Sequence, residues 1–220
     1  MMKLFIPISL ALILASCGTH APMSEMVMFS QKKVEDKTYN SVAGFGISYQ
    51  QTFPLDIEKA EPGAEFYPES YRTINIHPIF MAKSDTVSNV AFSLALGNNQ
   101  GVDFTTQLLG NNYLTVGVNT DVSFQAILQR RLIYNNTTGA AAGIYYNSLN
   151  LNYTAPCSED CYRGMFAYDL YQTQVAGIRF FIFHHSDEKV RTALRFDAKA
   201  GYAFKSKSPI IQAGISWTVF

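Results

Sequence analysis

Alternation of period two runs through most of this chain, and it limits the fold more than any other feature. Residues 192 to 205 show it best. Thr192, Leu194, Phe196, Ala198, Ala200, Tyr202 and Phe204 share one face; Ala193, Arg195, Asp197, Lys199, Gly201, Ala203 and Lys205 share the other. Successive side chains of a strand point to opposite faces, so this pattern is a strand with one apolar and one small or charged face. Residues 89–97 repeat it, with Val90, Phe92, Leu94 and Leu96 on the apolar side. Residues 102–109 set Val102, Phe104 and Leu108 against Asp103, Thr105 and Gln107. Residues 113–129 and 211–219 do the same, and further strands fit at 41–51, 72–82, 139–153 and 165–184.

Turn residues separate these runs, as in Gly97-Asn98-Asn99-Gln100-Gly101, Gly110-Asn111-Asn112 and Asn135-Asn136-Thr137-Thr138-Gly139. The chain therefore reads as all-β, an antiparallel up-and-down barrel of successive hairpins. The number of strands turns on residues 113–134. A break at Asn119-Thr120-Asp121 gives ten strands starting at residue 41. A single long strand gives eight starting near residue 72. The reading leans to ten. Both counts put the segment holding Cys157 and Cys161 at the end opposite the chain termini.

The polar face decides which way the apolar face points. A soluble ligand-binding barrel turns apolar residues inward and carries dense Lys and Glu outside. A transmembrane barrel reverses this. Here the polar face is Gly, Ala, Ser, Thr, Asn and Gln with a few charges, which suits a narrow lumen. Charged residues are 15% of the chain, against about 25% in an ordinary soluble domain, and aromatics are 14%. The reading is a transmembrane barrel over residues 41–220. Arg179, Arg195, Asp197 and Lys199 then form a luminal charge network. Arg130-Arg131 reads as a strand-end pair near lipid headgroups rather than a ligand clamp. Net charge is zero, so nothing favours nucleic acid.

The amino terminus has a short cationic start, an apolar run from Leu4 to Ile13, and Leu14-Ala15-Ser16-Cys17-Gly18. This resembles the bacterial lipoprotein signal. The resemblance implies cleavage before Cys17, removal of residues 1–16 and acylation of Cys17. With Gly18 rather than Asp after the Cys, it also implies an outer-membrane destination. Residues 17–40 then read as a lipidated tether, with Met23, Met26 and Met28 as weak local packing or a contact with the bilayer. An exported chain meets an oxidising compartment, so the remaining Cys157 and Cys161 read as a disulfide. The C-terminal run Gln212-Ala-Gly-Ile-Ser-Trp-Thr-Val-Phe220 resembles the last strand of outer-membrane barrel proteins. That implies recognition by the barrel-assembly machinery, with Phe220 as the terminal aromatic.

Chemistry has one weak candidate. His184-His185-Ser186 resembles the His-x-Ser of the outer-membrane lipid A deacylases, with Asp197 or Glu188 able to orient His184. Asp187 stands where that family has Asn. The plainer reading is a polar turn after Phe180–Phe183. No metal-ligand spacing, phosphate loop or cofactor motif appears. The sequence thus favours a non-catalytic, lipid-anchored outer-membrane barrel with a structural or surface-interaction role. The other two readings are a lipid-modifying hydrolase using Ser186 and His184, and a periplasmic lipid-anchored barrel that binds a hydrophobic ligand.

Overall fold

Ten antiparallel strands close into one up-and-down barrel in the computed structural model of the chain. The structure describes residues 21–29, 41–54, 71–82, 90–97, 99–120, 123–135, 137–154, 168–186, 192–205 and 207–219. The strands are β1 (Ser41–Pro54), β2 (Tyr71–Ala82), β3 (Val90–Gly97), β4 (Gly101–Gln107), β5 (Asn112–Asn119), β6 (Phe124–Tyr134), β7 (Thr138–Thr154), β8 (Tyr168–His185), β9 (Thr192–Ala203) and β10 (Ser208–Val219). Each pairs with its sequence neighbours, and β1 closes on β10 from Phe45↔Val219 to Pro54↔Ile210. Closure removes the open sheet edges that would otherwise leave backbone groups unpaired. We call the end where β1 starts and β10 finishes proximal, and the opposite end distal.

Ten strands rather than eight follow from the break after Asn119. The Asn119 amide donates to the Ser123 carbonyl at 2.8 Å, and its side-chain amide donates to Ser123 Oγ at 2.7 Å. This turn reverses the chain and separates β5 from β6, while β1 enters the wall between β2 and β10. The connections 55–70 and 155–167 both leave from the distal end.

The barrel is apolar outside and polar inside. Phe196 and Tyr202 are exposed, whereas Asp197 and Lys199 between them on β9 are buried. The outer face is also layered. Towards the proximal end, Phe80, Phe92 and Phe104 line up across β2, β3 and β4, with ring centroids 5.1 and 6.2 Å apart. Towards the distal end, Phe53, Phe124 and Tyr202 are exposed, with Tyr146 beside Phe124 at 5.6 Å. Between the two rows lie aliphatic side chains such as Ile47, Ile76, Val116, Ile144 and Ile178. Aromatic rows flanking an aliphatic band form the outer surface that suits a hydrocarbon layer and its two interfaces.

Among the described residues, one short helix stands apart from the wall. α1 (Ser24–Phe29) lies inside the barrel, and Ala21 to Met26 are buried. Reading 17–40 as a tether did not anticipate this: part of that segment fills the lumen. A barrel of eight strands is filled by its own side chains, and diameter grows with strand number. The extra width of ten strands accommodates the segment.

Candidate functional site: the plugged lumen

The proximal mouth is lined by an apolar collar. Ile79, Ala91, Tyr113, Ala141, Phe181, Phe183 and Ala193 all point inward close to their strand ends and pack on Ala21, Met23 and Met26. Gly46 on β1 makes room for the segment. A Cβ there would come within 2.7 Å of Met23 Cε and 2.9 Å of Thr218 Cγ2. Met suits this place because its unbranched thioether fills irregular space.

A charged layer lies against the same segment, and Glu25 is its centre. Arg179 Nη1 donates to Glu25 Oε1 at 2.7 Å, and Arg195 Nη1 donates to Oε2 at 3.0 Å. Gln129 Nε2 donates to Oε1 at 2.7 Å. Each carboxylate oxygen therefore holds one guanidinium. Arg195 Nη1 also donates to the Pro22 carbonyl at 3.0 Å, and Arg195 Nε donates to Ser216 Oγ at 3.0 Å. Arg179 Nε donates to Asp197 Oδ2 at 2.7 Å, and Nη2 reaches the same oxygen. Lys199 lies 5.6 Å from the Tyr145 ring centroid on the distal side.

Ser24 ties the segment to the opposite wall. Its amide donates to Asp103 Oδ1 at 3.0 Å, and its hydroxyl donates to the same carboxylate. A hydroxyl chain continues from Ser24 to Thr105 at 2.8 Å and on to Thr115 at 2.9 Å. Ser93 donates to the other Asp103 oxygen.

The buried charges balance only with the segment in place. Among the described residues, Glu25, Asp103 and Asp197 stand against Arg179, Arg195 and Lys199. Each guanidinium or carboxylate here is buried, and such groups persist only when paired and hydrogen-bonded. Chemically the arrangement is a clamp. It holds a chain segment, and every polar atom of the Glu25 side chain is engaged.

The four residues of the expected luminal network, Arg179, Arg195, Asp197 and Lys199, all point inward. Of the hydrolase candidates, Asp197 is not brought to His184. His184 is exposed on the outer face, while Asp197 lies in the lumen, bonded to Arg179. Ser186 Oγ accepts hydrogen bonds from the Thr192 amide at 3.0 Å and the Thr192 hydroxyl at 3.2 Å, closing the β8–β9 turn. His184 and Asp197 on opposite faces cannot serve one triad with Ser186, since the base must lie within hydrogen-bond reach of its acid. Cys17, Cys157, Cys161, Glu188 and Phe220 lie outside the described residues.

Sequence reasoning missed Glu25 and Ser24. Their only signal is a carboxylate set between two methionines, Met23-Ser24-Glu25-Met26, which no period accompanies. Comparison with protein-family models, curated proteins and solved structures finds no match for this chain.

Proposed function

We propose that this chain is a non-catalytic, lipid-anchored outer-membrane β-barrel, sealed by its own N-terminal segment and serving a structural or surface-interaction role. The observation that carries this reading is the polarity of the wall: charged residues inside, an aliphatic band between aromatic rows outside. In water such a surface would be an aggregation liability, and in a bilayer it is the expected one. A dry apolar cavity for a hydrophobic ligand is the opposite arrangement, and the lumen is instead occupied by Glu25 and its partners.

The lipoprotein-like Leu14-Ala15-Ser16-Cys17 fits the same geometry. Cys17 is four residues before Ala21, which packs in the proximal collar. At roughly 3.5 Å per residue, Cys17 stays within roughly 14 Å of that collar. An acyl anchor there would enter the leaflet at the proximal, periplasmic end. The long connections 55–70 and 155–167 would then face the cell surface, the second stiffened by a Cys157–Cys161 bridge.

Metabolic labelling with a palmitate analogue, followed by membrane fractionation, tests the proposal. Label should enter the wild-type chain, be lost in Cys17→Ser, and co-sediment with outer membrane. Recovery of unlabelled protein from the soluble periplasm would refute it. For the bridge, a membrane-impermeant maleimide on intact cells should label the 155–167 connection only after reduction. Labelling without reduction would exclude the disulfide.

A further inference from the structure

The outer wall is not uniform. At the proximal rim the β4–β5 turn stops short, while β6 and β7 run on as a hairpin. Arg130 pairs in register with Asn112, the first residue of β5, yet β6 continues to Tyr134. A step results, and a groove of about 500 Å³ lies against it, lined by Leu108, Leu109, Leu128, Arg130, Ala142 and Ile144. Ala142 leaves the groove open, because it is the small outward residue between Arg130 on β6 and Phe180 on β8.

Three local features act together here. Gly110 takes a φ of 63°, which lets the tight turn present Leu108 and Leu109 outward, Leu109 being 84% exposed. A register shift between Arg131 and Ile133 turns both Leu132 and Ile133 to the outside. Bulges at barrel rims re-aim side chains in this way. The two arginines then differ. Arg131 is held over the Tyr134 ring at 4.4 Å. Arg130 is exposed and, among the described residues, has no ion-pair, hydrogen-bond or ring partner.

We propose that this groove is a binding site for one phospholipid, with an acyl chain along Leu108, Leu128 and Ile144 and the phosphate on Arg130. The proposal rests on the barrel lying in a membrane. Charge complementarity selects the occupant. A guanidinium at the rim of an apolar groove matches a ligand with one anionic oxygen cluster at the end of a hydrocarbon chain. The lipid would cover leucines that the turn otherwise leaves exposed and give Arg130 the partner it lacks among the described residues.

Native mass spectrometry of the full-length protein in detergent micelles, titrated with phosphatidylglycerol, tests this. One lipid should bind ahead of all others. Arg130→Gln should weaken that first step roughly tenfold, as loss of a charge-assisted hydrogen bond does. Arg130→Lys should retain most of it. Ala142→Leu, which fills the groove from outside and keeps the arginine, should weaken it as well. Equal binding by wild type and Arg130→Gln, or inorganic phosphate binding as tightly as the lipid, would overturn the proposal. Flotation with phosphatidylcholine vesicles is the separate control. A chain that fails to float refutes the membrane reading, and one that floats while Arg130→Gln keeps its first lipid refutes the groove alone.

Discussion

Glu25 shows how much a single side chain can carry when it is placed among opposite charges and away from water. Its two oxygens receive two guanidiniums and one amide. Removing it strands Arg179 and Arg195 in a closed space, although Asp197 still holds one of them. Breaking a buried pair by deleting one partner typically costs about 3–5 kcal/mol. Glu25→Ala should therefore lower unfolding stability by about that amount, read from urea titration of the protein in detergent micelles. Loss within error of zero would show that the clamp is not energetically coupled to the wall. Only the methionines on either side of it mark this residue in the sequence. Its partners are 104 to 170 positions away in the chain, and local pattern is blind to such separation. Arg179, Arg195, Asp197 and Lys199 were legible for the opposite reason, since each interrupts an apolar strand at the spacing that turns it inward.

The strands were legible because the sheet has a fixed period and the wall has only two sides. Phe196 and Asp197 cannot both face the lumen, whatever the tertiary context. The boundary between β5 and β6 was harder, since Val118 and Phe124 continue the same facing across the turn. It took the Asn119–Ser123 hydrogen bonds to set it. α1 was not legible at all: at six residues it is too short to show a helical period. The facing itself predicts a depth-dependent response. Phe196 is exposed within the run of β9, whereas Leu132 is exposed at the proximal rim. Phe196→Arg should destabilise the folded protein in lipid vesicles by about 2–4 kcal/mol, and Leu132→Arg by about 1 kcal/mol or less. Equal costs at the two positions, measured by denaturant titration in the same vesicles, would contradict a membrane-spanning band.

At the scale of the whole molecule, the barrel and its plug form one object in which the described buried charges balance. Without Glu25 the described luminal charges are Arg179, Arg195 and Lys199 against Asp103 and Asp197, an excess of cation. Deletion of residues 21–29 should therefore open a path through the lumen that prefers anions. Planar-bilayer recordings under a salt gradient would show it as stepwise current with an anion-side reversal potential. A deletion variant that folds but conducts no more than wild type would mean that the lumen closes without the segment. The same arrangement also fixes an order in time. Residues 21–26 leave the ribosome before every strand, yet Arg179 and Arg195 sit on β8 and β9. Glu25 has no guanidinium partner in the wall until the eighth strand has been laid down, and β1 has only one neighbour until the tenth arrives. A segment made before every described strand is thus fully satisfied only after β9 is in place. A truncated product ending before β8 would carry a carboxylate without its two guanidiniums and an open edge at once. Seating of the N-terminal segment is in this sense a readout of progress: it reports that β8 and β9 are in place.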